Sequence, residues 1–134
     1  MKPVTCSCPK CRAMCAASTC LPTPEQARQL IRLGYAPRLA TYSFPESEVR
    51  FVGPAPAGKE GARDLPDTLQ GRCAFHVDGL CELHAPGLKP LEGTLAHHDR
   101  HWLPIRMHMA AHWRGKRFDS VMALLERSSG SAGA

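Results

Sequence analysis

Residues 6–20, CSCPKCRAMCAASTC, decide the fold of this chain, because they hold five cysteines and no apolar periodicity. We call this segment the cysteine head. Residues 1–22, which contain it, have no apolar period and are predicted to form a loop wrapped around a ligand. A gap of two or three residues lets two thiolates reach one ion about 2.3 Å from each, as in zinc ribbons and iron–sulfur proteins. Unligated cysteines are usually buried as small hydrophobic residues, but this segment has no apolar pattern that would bury them. The spacing therefore predicts metal binding.

Two further cysteines, Cys73 and Cys81, lie far downstream. Between them, Asp78-Gly79 is a strong signal for a β-hairpin turn, so residues 73–84 are predicted to form a hairpin that brings the two thiols close together. Seven cysteines are more than one tetrahedral site needs. They leave open two mononuclear sites, a binuclear site with bridging thiolates, or a four-cysteine cluster with spare thiols. We expect the fold to join the cysteine head and the hairpin around metal.

The predicted metal ligands are the seven cysteines and a histidine that follows the last of them in a Cys-x2-His arrangement: Cys6, Cys8, Cys11, Cys15, Cys20, Cys73, Cys81 and His84. His97 and His98 are further candidates, since they could complete a site that is short of cysteine. His101, His108 and His112 are expected to be partly exposed or satisfied in the core. The last two lack the glutamate of a His-Glu-x-x-His motif, so the zinc-protease interpretation fails.

Zinc is the predicted metal, with iron or an iron–sulfur cluster as the alternative. The N-terminus lacks the apolar run of a signal peptide, and no apolar stretch of ~18 residues could span a membrane, so we expect a cytoplasmic protein without a membrane partner. In a reducing compartment, clustered cysteines are more often metal ligands than disulfides. Two divalent ions on six thiolates would lower the net charge from +5 to about +3, so the basic balance is weak support for nucleic-acid binding.

The cysteine head and the predicted hairpin together resemble the cysteine-cluster family of zinc- or iron-chelating proteins named for its CxxCxxCC pattern. The second half of that pattern has the form Cys, six to eight residues, Cys-x-Ile/Leu-Tyr, then Arg-Pro and a further Cys. The positions of this chain that fall on the two halves are Cys8, Cys11, Cys15, Cys73, Cys81, Leu83, His84, Lys89 and Pro90. The resemblance implies a chelating site and says little about activity.

The chain departs from the family pattern at three positions. Met14 stands where the third clustered cysteine would be, His84 replaces the tyrosine, and Gly93 takes the place of the last cysteine. Cys6 and Cys20 are additional to the pattern. We expect Cys20 and His84 to fill the positions that these departures leave open.

The fold class predicted for the whole chain is α+β, small and irregular, helix-rich with one β-hairpin, and stabilised by metal. Residues 1–127 are predicted to form a single domain, and residues 128–134 a small, polar, disordered tail. Thr23, Pro24 and Gln26 supply an N-cap, a proline at N1 and a capping-box glutamine at N3. The remaining predicted elements are a helix over 24–33 closed by Gly34, a strand ending near 52, an exposed loop over 53–71, an irregular stretch over 86–93, and helices over 104–113 and 117–127.

A non-enzymatic role is favoured, because no single cysteine stands out as a nucleophile and the chain lacks phosphate-binding and dinucleotide-binding glycine motifs. The first hypothesis is a zinc-binding interaction module whose partner is another protein. The alternative is an iron-binding redox protein or metal carrier. A third hypothesis, a nucleic-acid-binding accessory protein, depends on a basic segment with interleaved tryptophans: Arg100, Trp102, Arg106, Trp113, Arg114, Lys116 and Arg117. Core tryptophans and solvated arginines are favoured over this reading.

Overall fold

The computed structural model describes residues 8–44, 48–66, 71–97 and 99–133, with side chains except at positions 11, 12, 15 and 129–133. Its α-helices are α1 (Pro9–Arg12), α2 (Met14–Ala17), α3 (Pro24–Leu30), α4 (Leu91–Leu95), α5 (Trp102–His112) and α6 (Arg117–Gly133). A π-helical turn (Ile31–Tyr35) and a 3-10 turn (Ala36–Arg38) follow α3. The strands are β1 (Leu39–Ser43), β2 (Arg50–Pro54), β3 (His76–Val77) and β4 (Leu80–Cys81). The fold is therefore mixed α and β, as predicted.

Helix α3 begins where the sequence predicts it. The Thr23 hydroxyl accepts the Gln26 N–H (3.2 Å), and the Gln26 side chain accepts the Thr23 N–H (3.0 Å), which together form the predicted capping box. Leu30 and Ile31 are buried, as the apolar spacing indicates. The π-helical turn ends the helix at Gly34, whose φ of 96° is readily adopted only by glycine.

The described residues form two antiparallel two-stranded sheets, where the sequence predicts one hairpin. In the additional sheet, β1 pairs with β2 so that Leu39 lies opposite Pro54 and Tyr42 opposite Phe51. Strand β1 is buried along almost its whole length, so it lacks the polar–apolar alternation by which a half-exposed strand is recognised. Pro37 and Pro45 at its two ends also favour an irregular segment over a strand.

The predicted turn at Asp78-Gly79 is confirmed. Both residues have positive φ values, 53° and 78°, which a type I′ hairpin turn requires. The ladder pairs His76 with Cys81 and Val77 with Leu80. Cys81 stands on β4 as the predicted hairpin requires, whereas Cys73, predicted on the opposite strand, precedes β3 and forms an isolated bridge with Pro56.

Several segments predicted to be irregular or exposed are part of the packed structure. The loop predicted over 53–71 begins inside β2, and Ala55 is fully buried, with its N–H donating to the Arg38 carbonyl (3.0 Å). The stretch predicted to be irregular over 86–93 contains the start of α4. The cysteine head, predicted as a loop, contains the single-turn helices α1 and α2.

Helix α6 packs against β2, and Trp113 at the end of α5 reaches the same sheet; both helices bury the residues that the sequence places on their apolar faces. Ile105, Met109 and Trp113 are buried on α5 and its end, and the Trp113 ring meets Phe51 edge-on at 6.0 Å. On α6, the buried residues are Phe118, Val121 and Leu125. The last helix runs on to Gly133, beyond the predicted end at residue 127. Within the described ranges, none of the helices has the length and apolar character needed to cross a bilayer.

Substituting Gly53 by alanine is expected to lower the free energy of unfolding by about 1–3 kcal/mol. A Cβ at this position would lie 2.8 Å from Pro22 Cδ, so the strand and the segment after the cysteine head would have to separate. Urea denaturation measures the loss. In a Pro22→Ala background the same substitution should cost less, and an equal cost there would show that this close approach is not the cause.

Candidate metal centre

The predicted ligands are distributed over both halves of the chain. Cys6 lies outside the described residues, and Cys11 on α1 and Cys15 on α2 are described by their backbone alone. Among the other predicted ligands, Cys20 and Cys73 are buried, Cys8 and Cys81 are half-buried, and His84 is exposed in the turn after β4. Within these limits, no three His, Cys, Asp or Glu side chains are placed together so as to hold a metal ion.

Cys20 is held in place by hydrogen bonds to its two following residues. The Leu21 N–H donates to Glu92 Oε1 (3.0 Å), and the Leu21 carbonyl accepts the Glu92 N–H (3.1 Å). The Trp113 indole N–H donates to the Pro22 carbonyl (2.9 Å). These bonds fix the end of the cysteine head against α4 and the end of α5.

The Cys20 sulfur lies beside Gly93. A Cβ built at position 93 would be 3.3 Å from Cys20 Sγ and 2.9 Å from Lys89 Cε. A side chain at that position would therefore project toward the space that the Cys20 thiol occupies. Cys20, expected to fill a position that the missing cysteine at Gly93 leaves open, is therefore a neighbour of Gly93 in space.

A buried ion pair supports this corner of the molecule. Arg106 Nε donates to Glu92 Oε2 (2.6 Å) and Arg106 Nη2 to Glu92 Oε1 (3.4 Å), and the two residues are only 7% and 6% exposed. Burial raises the pKa of the Glu92 carboxyl, while the Arg106 guanidinium and the Leu21 N–H lower it in part. Because the same carboxylate binds Leu21 and Arg106, it joins the cysteine head to α5.

Tyr42 connects the two regions that carry the buried cysteines. Its hydroxyl donates to the Pro54 carbonyl and lies 3.1 Å from the Thr19 hydroxyl, next in the chain to Cys20. Burial raises the pKa of Tyr42, and the charge of a Cys73 thiolate would raise it further. The Thr19 hydroxyl therefore contacts the same buried phenol that bonds to the end of β2.

Two cavities border the cysteine head. The first, of about 150 Å³, is lined by residues that include Met14, Cys20, His97 and the Glu92–Arg106 pair. The second, of about 500 Å³, lies at the hairpin and is lined by Ala16, Arg72, His76 and the Asp78-Gly79 turn, among others. We call this second one the hairpin cavity. Ala16 follows Cys15 directly, so a cysteine-bearing helix and the β3–β4 hairpin border the same space.

His76 is the residue that the sequence interpretation missed. It is 9% exposed, and in the described part of the chain its Nδ1 is a buried polar atom without a hydrogen-bond partner. A Cys-x2-His spacing from Cys73 was the one available signal, equal to the spacing that singled out His84 after Cys81. The spacing does not show that His76 is buried whereas His84 is exposed.

The other histidines lie elsewhere or have local roles. His98 is outside the described residues, and His97 Nδ1 accepts the Asp99 N–H (3.1 Å). His101 caps α5 by accepting the Leu103 N–H (3.2 Å). His108 and His112 face each other edge-on at 5.1 Å, and partial burial together with the neighbouring His108 lowers the pKa of His112.

The basic segment that was considered for nucleic-acid binding has some residues in the core and others on the surface. Trp113 is 1% exposed and Arg106 is buried in its ion pair, whereas Trp102 is 53% exposed and stacks on His101. Arg117 donates to the His112 carbonyl (2.9 Å) at the surface. The expectation of core tryptophans and solvated arginines is therefore right for Trp113 and wrong for Trp102 and Arg106.

Comparison of the chain with protein-family models, with curated proteins and with solved structures finds no match.

Proposed function

We propose that this protein binds zinc in a structural site that joins the cysteine head to the β3–β4 hairpin, and that it acts as a non-enzymatic interaction module. The ligands are drawn from the seven cysteines, with a histidine of the hairpin completing the set. In this proposal the metal replaces part of a core that a chain of 134 residues builds from only eight aromatic residues.

The hairpin cavity is the observation that carries this proposal. Ala16, adjacent to Cys15, lines it together with residues 76–79 of the β3–β4 hairpin. If these two regions share an ion, they must lie close together in the folded chain. A fold that held them far apart would have excluded the proposal. Zinc takes four ligands within about 2.3 Å, so only side chains gathered at one such place could bind it.

The position of Cys20 gives independent support. Its sulfur, buried beside Gly93, comes close to the place where the resembling family has a cysteine. The hydrogen bonds of Leu21 and Pro22 hold it there without a ligand. A thiol whose position is fixed before the metal binds loses less conformational entropy on binding than a thiol on a flexible segment.

An exposed apolar patch on α5 favours a protein as the partner. Trp102, Leu103 and Met107 are 53%, 43% and 62% exposed. Side chains of this kind near one another on a surface are typical of protein–protein contact sites. Nucleic-acid binding is less well supported, because Trp113 and Arg106 belong to the core and cannot contribute stacking or charge.

Elemental analysis of the purified full chain tests the identity of the metal. We expect near-stoichiometric zinc and no absorbance between about 320 and 450 nm in protein purified with or without oxygen, because zinc is d¹⁰ and colourless. A brown preparation containing iron would overturn the zinc proposal in favour of the iron-binding alternative. Protein that carries no metal and takes up none on titration with Zn²⁺ would overturn both.

A further inference from the structure

The buried Nδ1 atom of His76 has no hydrogen-bond partner among the described residues. A buried imidazole nitrogen without a hydrogen-bond partner is destabilising, and native structures rarely contain such atoms. His76 sits on β3, 9% exposed, and its backbone is fully engaged: its N–H donates to the Cys73 carbonyl (2.9 Å) and its carbonyl accepts from Arg72. The side chain is therefore held firmly while one of its ring nitrogens is unused.

The hairpin register brings a thiol next to this imidazole. His76 is paired directly with Cys81 across the two strands. One position further along, the Glu82 N–H donates to the Phe75 carbonyl (2.8 Å), so Phe75 and Glu82 form a hydrogen-bonded pair. Hydrogen-bonded and non-hydrogen-bonded pairs alternate along an antiparallel ladder. His76 and Cys81 are therefore a non-hydrogen-bonded pair, the kind in which the two residues lie closer together. Their side chains are on the same face of the hairpin.

This spacing suits one tetrahedral ion. Directly opposed residues have Cβ atoms about 4.5–5.5 Å apart, and zinc binds imidazole nitrogen at about 2.0–2.1 Å and thiolate sulfur at about 2.3 Å. His76 also lines the hairpin cavity, which Ala16 borders from the cysteine head. The helix that carries Cys15 therefore reaches the same cavity as His76.

We infer that His76, through Nδ1, is a zinc ligand and that Cys81 binds the same ion. The inference rests on the proposed function and assigns its histidine. His84, which the sequence favours, is exposed, and His97 and His101 already accept backbone N–H groups at Nδ1. Ligation at Nδ1 places the ring proton on Nε2 and gives the orphaned nitrogen a partner.

Titration with Co²⁺, a coloured stand-in for zinc, tests the assignment in the full chain. We expect His76→Ala to weaken cobalt binding at least tenfold and to change its visible spectrum. His84→Ala, the matched control on an exposed histidine of the same hairpin, should bind cobalt as the unaltered chain does. His76→Cys, which supplies another ligand atom, should retain most of the affinity.

Ring-nitrogen NMR of the unaltered chain makes the test independent of how any variant folds. Addition of Zn²⁺ should shift the Nδ1 signal of His76 while its Nε2 keeps the proton. Equal cobalt affinity and spectrum in His76→Ala, an unmoved His76 Nδ1 signal, or a loss confined to His84→Ala would overturn the assignment while leaving the zinc proposal standing. An unaltered chain that binds neither Zn²⁺ nor Co²⁺ would overturn both.

Discussion

Substitution of Glu92 by alanine is expected to lower the free energy of unfolding by about 3–5 kcal/mol, a large part of the stability of a domain of this size. The substitution removes both acceptors of the Arg106 guanidinium and leaves a charge that cannot be neutralised in a site only 7% exposed. It also removes the acceptor of the Leu21 N–H. Urea denaturation followed by circular dichroism measures the loss.

Two comparisons isolate the buried charge as the cause. Glu82→Ala breaks an ion pair with Arg38 whose side chains are 43% and 34% exposed, and it should cost about 1 kcal/mol or less. The double variant Glu92→Gln, Arg106→Met keeps an oxygen for the Leu21 N–H and removes the charge, so it should be more stable than Glu92→Ala. If Glu92→Ala cost no more than Glu82→Ala, the ion pair would not be the support that its burial indicates.

The predictable parts of the fold are those with local causes. The capping box at Thr23 and Gln26 and the two positive φ values at Asp78-Gly79 depend on residues within a few positions of one another. The spacing of Ile105 and Met109 gives the buried face of α5 for the same reason. Each of these signals can be recognised without knowing what the element packs against.

The unpredicted parts depend on partners distant in sequence. Strand β1 is buried almost throughout and therefore shows no alternation, and it is a strand because β2 lies beside it. Arg106 is in the core because Glu92, fourteen positions earlier, folds over it. A single sequence contains no local sign of either pairing, and an arginine is solvated in most proteins.

The candidate site also has a part that the sequence predicts and a part that only the fold shows. Cysteine spacing singles out the head and the hairpin, but it cannot separate His84 from His76, since both follow a cysteine by three positions. Only the fold shows that His76 is buried opposite Cys81 and that His84 faces solvent. Likewise, only the fold places Cys20 beside Gly93.

Removal of zinc with a chelator is expected to lower the free energy of unfolding by about 4 kcal/mol when the reference sample contains free Zn²⁺ a thousandfold above its Kd. For a chain of this length, that loss corresponds to a fall in Tm of ~10–20 °C. In the proposed site the ligands would converge on one ion only in the folded chain, so the free energy of binding would add to the free energy of folding. Thermal unfolding by circular dichroism, with metal content checked on the same samples, measures the change.

Ligand variants separate a structural ion from a passively bound one. Cys81→Ser and Cys11→Ser should reproduce most of the chelator effect and respond little to added chelator, because their sites are already broken. His108→Ala, which removes a half-buried imidazole on α5 outside the proposed site, should keep both the high Tm and the chelator response. An unchanged Tm after verified removal of zinc would mean that the ion holds no part of the fold, and the carrier alternative would then explain the cysteines better. A chelator response that persists in Cys81→Ser would instead place the stabilising ion within the cysteine head, without the hairpin.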